Sequence, residues 1–355
     1  MSFPPSVPEG FARTQVSLHG EAGLAWLNRL PLLTEEISHR WSLRVEGPFP
    51  DLSYNWVAPA LREDGTPAVL KLSFPRDEEV ETEAAALAAF GGHGVCRLLG
   101  LDLDRGAMLL ERLLPGRPLT AVGDDEEATA VAAGVMKTLW RPAPPDHGFP
   151  TVSDWSRGFE RLRRRFDGGT GPMPGKLVGE AEALFAELLA SEGAPLLLHG
   201  DLHQQNILSA GRRTWLAIDP KGVVGEAAYD TAALLHNPVG ALDAPDPKGL
   251  LERRLDVLSG ELGPDRARAR LGPRPGGARR LLGPRRRRPG MGRGAGLRPA
   301  AGGDPGLTRP SSSERQAEGA GEFETCPRVW VAGPGSELGR RTRGLQGPDP
   351  RDTLT

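Results

Sequence analysis

At 355 residues, with 44 Lys and Arg against 46 Asp and Glu and a net charge of -2, the chain has length for one large core or two ordinary ones, and its overall charge selects no partner. Only two cysteines occur, Cys96 and Cys326, far apart and in unlike contexts, which supports neither a disulfide framework nor a cysteine metal site and fits a reducing compartment. The opening MSFPPSVPEG lacks the basic flank and apolar core of a signal peptide, and no apolar run approaches the ~20 residues of a membrane span, so a cytoplasmic protein that engages no membrane is expected.

In chain order, apolar residues recur at helical spacing from Glu21 to Arg40 (Leu24, Leu27, Leu30, Ile37), predicting an amphipathic helix broken or kinked at Pro31. This prelude occupies residues 1–40. Two strands follow, over Trp41–Gly47 and Tyr54–Pro59, then a third over Ala68–Phe74 after the turn at 63–67. Alternation puts Val69, Lys71 and Ser73 on one face of that third strand and Leu70 and Leu72 on the other. From Asp77 to Phe90 an Ala-rich stretch, acidic in its first turn, predicts a helix ended by Gly91 and Gly92. Strands at Val95–Leu99 and Ala107–Arg112 and a turn at Pro115-Gly116 complete a small antiparallel lobe over 41–118.

The remainder of the body, 119–270, is expected to be mainly helical, interrupted by Pro-rich 141–150 and Gly/Pro-rich 168–175. An apolar run at Pro195–Leu198 leads into the most polar motif of the chain, a strand pair flanks Ser209–Arg213, and helical pattern returns near Tyr229 and over 248–270. After Leu271 the character changes. Gly and Pro make up roughly a third of 271–355, and Lys, Asn and Ile are missing from it. Such a tail builds no ordinary core; a basic nucleic-acid arm is disfavoured because no aromatics interleave the arginines, leaving a disordered extension or a frameshifted C-terminus.

Residues 199–219 read HGDLHQQNIL, a polar turn, and WLAID. Phosphoryl transfer needs a base to orient a hydroxyl and oxygen ligands to fix magnesium on nucleotide phosphates, and Asp201, Asn206 and Asp219 supply that set. Asp201 and Asn206 stand five residues apart, the separation of base and metal-ligand Asn in H-R-D-x-x-x-x-N, while Asp219 ends a short apolar strand. An isolated HGD would be an ordinary turn with a local Asn cap. The full string, a second Asp after a strand and an upstream strand lysine, in this order, favour the chemical reading.

Lys71 alone would be a solvated strand lysine. In this context it is the residue that meets α/β-phosphates, braced by a helix carboxylate. Glu79, Glu81 and Glu83 are available; Glu83, directly before the Ala-rich stretch, is chosen, and its neighbours are read as a solvated first turn. His199 and His203 invite a zinc reading, but no Cys lies nearby and HExxH is absent; His199 is expected to pack and hydrogen-bond within the loop. No Gly-rich phosphate loop is legible between Val45 and Asn55, where only Gly47 occurs.

HGDLHQQN followed by IDPKG closely resembles the aminoglycoside phosphotransferase family, in particular its streptomycin 6-kinase (aminoglycoside/hydroxyurea resistance kinase) branch. The likeness spans about residues 11–265 and includes Val57-Ala-Pro-Ala, Ala68-Val-Leu-Lys-Leu, Cys96-Arg-Leu-Leu, Leu110-Glu-Arg-Leu-Leu-Pro-Gly and Gly225-Glu-Ala-Ala-Tyr-Asp-Thr. The resemblance implies an α+β, bilobal protein-kinase-like fold, with ATP and Mg2+ between the lobes and a hydroxyl of a small cationic aminoglycoside as acceptor. It makes Asp201 the base, Asn206 and Asp219 magnesium ligands, and Lys71 and Glu83 the phosphate-lysine pair. Glu111 to Leu113 then lie near the hinge that meets adenine, Lys221 reaches phosphate or substrate, Glu226 falls in the substrate region, and Asp230 braces the catalytic loop. No nucleic-acid partner is implied, and a monomer is favoured. The rivals are another small-alcohol kinase on the same scaffold and an inactive frameshifted kinase that at most binds nucleotide.

Overall fold

The computed structural model describes residues 7–263 apart from 51, 76 and 191–193; the tail at 271–355 and the end of the helix expected over 248–270 lie outside the described residues. Helix α1 (Glu9–Trp41) buries Phe11, Trp26, Leu27, Leu30, Leu33 and Ile37. Its backbone stays helical through Pro31, and its non-helical residue is Gly20, at φ 57° and ψ -131°. The expected break at Pro31 is thus corrected. Buried Leu27, Leu30 and Leu33 straddle the proline and hold the helix on the sheet despite the missing N–H, whereas Gly20 has no Cβ to resist positive φ.

Strands β1 (Leu43–Val45), β2 (Trp56–Arg62) and β3 (Pro67–Leu72), helix α2 (Glu78–Phe90), and strands β4 (Leu98–Asp102) and β5 (Ala107–Glu111) follow. The strands form one antiparallel sheet in the order β1-β2-β3-β5-β4. Alternation divides it: Trp56, Ala58, Leu70, Leu72 and Ala107 share a core with α1, while Met108 and Leu110 share another with Val80, Ala84, Leu87 and Phe90 of α2. Asp77 caps α2 by accepting the Glu79 N–H at 2.9 Å, and left-handed Gly91 ends it. The fourth strand begins at Leu98, three residues later than Val95, because the preceding segment pairs elsewhere. Val95 bridges in parallel to Ala217; the Cys96 N–H donates to Ala217 O at 2.9 Å and the Ala217 N–H to Gly94 O at 2.8 Å.

The turn expected at Pro115-Gly116 is instead part of β6 (Pro115–Pro118), which finds its partner in a distant hairpin. The larger portion then runs through α3 (Asp125–Leu139), β7 (Arg141–Pro142), α4 (Val152–Arg165), α5 (Gly175–Leu189), β8 (Leu196–Leu198), β9 (Ile207–Ala210), β10 (Trp215–Ala217), β11 (Val223–Gly225), α6 (Ala228–His236) and α7 (Pro247–Leu262). Two small antiparallel sheets, β10-β9-β6 and β11-β8-β7, present the loops between β8 and β11. Buried Arg254 fastens α7 by pairing with Asp125 and donating to the carbonyls of Leu234, Leu235 and Asn237. The described chain is therefore an α+β fold of two lobes, a small antiparallel sheet lobe and a larger, mainly helical one. No helix of the described residues is long and apolar enough to cross a membrane.

Candidate active site

The pleat of β3 sets the first element of the site. Lys71 lies between Val57 of β2 and Met108 of β5, on the face opposite Leu70 and Leu72, and its side chain runs toward α2. There its Nζ donates to Glu83 Oε1 and Oε2 at 2.8 and 2.7 Å, and to Asp219 Oδ1 at 3.1 Å. Lys71 and Glu83 are buried, whereas the Asp219 side chain remains 48% exposed. The burial that fixes the pair also sets its electrostatics. Burial pushes Glu83 up to about 7, against the pull of Lys71. Burial would lower Lys71, but the charges of Asp219 and Glu83 outweigh it and hold the ammonium raised. For Asp219, crowding works to raise the carboxyl, yet the Lys71 charge and hydrogen bond keep it below the ordinary range, so it stays ionised at neutral pH.

Asp219 sits at φ +55° directly before Pro220, a left-handed conformation that a proline-preceding residue with a Cβ disfavours, at a cost of order 1–3 kcal/mol. The surrounding loop over-determines it. The Ile218 N–H donates to Asn206 O at 2.9 Å, Ile218 O accepts from His199 Nε2 at 2.8 Å, and the N–H groups of Lys221 and Gly222 converge on His199 O at 2.8 and 3.2 Å. His199 is wholly buried, and its Nδ1 accepts the Asp201 N–H at 3.2 Å, which leaves Nε2 as the nitrogen that donates to Ile218 O. One imidazole thus locks the loop of Asp201 to the loop of Asp219.

A third buried group fixes that lock from below. Asp230, in the first turn of α6, accepts the His199 N–H at 3.0 Å, the Gly200 N–H at 2.7 Å and Trp140 Nε1 at 2.9 Å. Burial raises its carboxyl, opposed by the same donors. Gly200, at φ +86°, tolerates the turn only because it lacks a side chain; a Cβ there would meet Val223 Cγ1 at 3.0 Å. The following Asp201 presents a side chain 41% exposed, with His203 Nε2 3.9 Å from Oδ1. Burial lowers His203, so the neighbour is a neutral imidazole rather than a counter-charge. Asn206 donates its Nδ2 to Asp201 O at 2.9 Å, which turns its amide oxygen away from that carbonyl and leaves it free to act as a ligand.

The remaining expected residues divide. Lys221 reaches Glu79 Oε2 at 2.8 Å, so Glu79 is not part of a merely solvated first turn; Glu81 is exposed. Burial would lower Lys221, but the Glu79 charge and hydrogen bond raise it. Glu226 is half-buried in the turn between β11 and α6. Glu111 does not offer its carboxylate to the cleft: Arg212 Nε and Nη2 grip it at 2.7 and 2.9 Å, and the Arg97 N–H donates to it at 3.0 Å. Leu113 is buried in the main core. Arg212 escaped sequence reasoning altogether. It also donates to Gly92 O and Val95 O, binding the β9–β10 hairpin to the sheet lobe, but in Gly-Arg-Arg-Thr nothing separates it from Arg213.

A buried strand lysine held between a helix carboxylate of the sheet lobe and the Asp219 loop of the larger lobe defines a phosphotransferase of the protein-kinase-like fold. More narrowly, residues 40–271 match the family model described as aminoglycoside/hydroxyurea antibiotic resistance kinase, and the chain belongs to that family. Streptomycin 6-kinase of Streptomyces glaucescens is 38% identical over 266 residues, covering 74% of this chain and 85% of that protein. Hydroxyurea phosphotransferase of Kitasatospora aureofaciens is 36% identical over 271 residues, covering 74% and 76%. The solved apoenzyme of macrolide 2'-phosphotransferase from Brachybacterium faecium superposes with a TM-score of 0.46 at 20% identity, over 67% of this chain and 86% of that one.

Proposed function

We propose that this protein transfers the γ-phosphoryl group of ATP to a hydroxyl of a small cationic polyol, and that the acceptor is streptomycin, phosphorylated at the 6-position. The observation that carries the reading is the triple arrangement of Lys71, Glu83 and Asp219 at 2.7–3.1 Å opposite the Asp201 loop, in a chain whose relatives include streptomycin 6-kinases. Lys71 holds the nucleotide phosphates, with Glu83 fixing its rotamer so that the ammonium is positioned before the nucleotide arrives. Asp219 and Asn206 offer a carboxylate and an amide oxygen, hard donors of the kind Mg2+ takes while keeping water and phosphate in its remaining positions. They fit the ion: Asp219 is ionised, open to solvent and held in a strained conformation by its neighbours. Bound there, magnesium supplies charge neutralisation on the phosphates.

Asp201 accepts the proton of the acceptor hydroxyl as the oxygen attacks phosphorus. Its carboxylate is partly exposed, and its backbone N–H is anchored on the His199 ring. Lys221, resting on Glu79, is within reach of phosphate or substrate, and Glu226 marks the acceptor side. The acidic body suits a cationic acceptor. A radiolabelled-ATP assay with streptomycin, hydroxyurea, choline and neutral sugars as acceptors tests the proposal. Label transferred to streptomycin supports it; transfer only to choline or sugars identifies another small-alcohol kinase, and no transfer to any acceptor leaves a nucleotide-binding protein.

A further inference from the structure

Two aromatic rings beside Asp201 have no part in the chemistry described so far. Trp155 lies in the first turn of α4, whose start is fixed by a capping box: the Asp154 N–H donates to Thr151 Oγ1 at 3.0 Å and the Thr151 N–H to Asp154 Oδ2 at 2.9 Å. The rim of its indole abuts the catalytic loop, with Cη2 3.4 Å from where a Cβ on Gly200 would stand. Tyr229, in the first turn of α6 and adjacent to Asp230, meets it edge to face, with ring centroids 5.6 Å apart and planes at 64°. Burial, together with the charges of Asp230 and Asp201, raises the Tyr229 phenol, so it stays neutral and feels the Asp201 carboxylate.

A core-filling role accounts for these rings only in part. Val152, Leu198 and Val223 are buried at the centre of a small cluster, and Trp155 and Tyr229 pack against it while each keeps part of its surface exposed. Trp140 in the same cluster uses its N–H on Asp230; Trp155 makes no such bond among the described residues. An aromatic corner left partly open beside a carboxylate is the arrangement that attracts a flat, weakly hydrated cation, since ring quadrupole and carboxylate pull in the same direction.

We propose that Trp155 and Tyr229 form a cation-binding corner that receives a guanidinium or ammonium group of the acceptor and so brings a neighbouring hydroxyl to Asp201. The proposal rests on the reading of this cleft as a phosphoryl-acceptor site. It makes Trp155 a specificity-determining residue, with the acceptor's positive charge, rather than its hydroxyls alone, as the feature selected.

The test is calorimetric binding of streptomycin, which carries guanidinium groups, to the full chain and to a graded series, Trp155→Tyr, Trp155→Phe and Trp155→Leu. Affinity for Mg·ATP and melting temperature are measured on each variant. The expected result is a stepwise loss of streptomycin affinity reaching about tenfold at Trp155→Leu, with nucleotide affinity unmoved. Equal streptomycin affinity across the series, or a parallel fall in nucleotide affinity, overturns the proposal. Should Trp155→Leu fold poorly, the Tyr and Phe variants still decide, because each keeps an aromatic ring in the packing but offers a weaker cation-binding face than indole. Binding that depends on Trp155 in a protein that phosphorylates nothing would sink the kinase reading and leave the corner standing. Turnover whose streptomycin KM ignores Trp155 would do the reverse.

Discussion

On the sheet side of the site, Lys71 is gripped by two carboxylates at 2.7–3.1 Å and nearly sealed from solvent, whereas on the side of the larger lobe Asp201 has, among the described residues, no ion partner closer than His203 at 3.9 Å. The first wall is organised by charge. The second is organised by backbone, since Asp230 and His199 gather N–H groups and leave the Asp201 carboxylate unneutralised. The difference follows from what each wall has to meet. A polyphosphate needs a cation fixed in advance, and burial with Glu83 supplies that; a base needs a carboxylate whose negative charge is not already satisfied.

The largest effect should come from removing the unpaired charge. Asp201→Asn is expected to lower kcat by roughly 10²–10⁴-fold while Mg·ATP affinity stays within about twofold, because the base contributes to proton transfer and does not hold the nucleotide. Single-turnover transfer to streptomycin alongside calorimetric nucleotide binding reads both quantities. Near-wild-type turnover would show that the second wall only shapes the cleft. Next in size is the charge-organised wall itself. Asp219→Ala should weaken Mg·ATP binding roughly 10–100-fold and lower turnover with it, since both an oxygen ligand and a partner of Lys71 disappear. Unchanged affinity at two magnesium concentrations would mean that Asp219 merely ends a strand.

The brace gives a third contrast. Asp230→Asn keeps an acceptor oxygen but aims an NH₂ at donors that now lack a carboxylate, leaving at least one of the His199, Gly200 and Trp140 N–H groups poorly satisfied. Stability should fall by about 1–3 kcal/mol and kcat by about tenfold, with nucleotide affinity little changed. If nucleotide affinity falls as far as kcat, the two walls are not separately organised.

How much of this was legible in the sequence depends on how local each signal is. The HGDLHQQN and IDPKG strings, the β3 alternation that turns Lys71 to one side, and the Ala-rich α2 are short-range patterns, and among the residues they pointed to, Lys71, Glu83 and Asp219 are bonded to one another. What escaped was set by distant pairing. β6 reads as a Pro-Gly turn until β9, about 90 residues later, takes it as a partner; the fourth strand starts late because Val95 and Cys96 are committed to Ala217. The Glu111–Arg212 pair and the Glu79–Lys221 pair span 101 and 142 residues, beyond any local pattern. Pro31 misled for a related reason, since propensity penalises a mid-helix proline while tertiary burial of Leu27, Leu30 and Leu33 outweighs it.

The smallest predicted effect probes the balance of forces within the charged wall. Burial lifts Glu83 from an ordinary 4.5 to about 7 in the folded protein, so between those values the native state binds more protons than the unfolded chain. Stability contributed by this group is then complete below about pH 4.5 and is lost as pH rises through about 7. Glu83→Gln removes the titration while keeping an oxygen for Lys71 to donate to. The melting temperature of the wild type, measured against this variant, should therefore decline by roughly a few degrees from pH 5 to pH 7.5. Its two partners do not blur the window: the depressed Asp219 loses its contribution only as pH falls below its ordinary value of 3.8, and the raised Lys71 only well above neutrality. His203 and His236 titrate identically in both proteins and cancel in the difference. Parallel curves from pH 5 to 7.5 would mean that Lys71 keeps Glu83 ionised throughout, and that in this wall ion pairing outweighs desolvation.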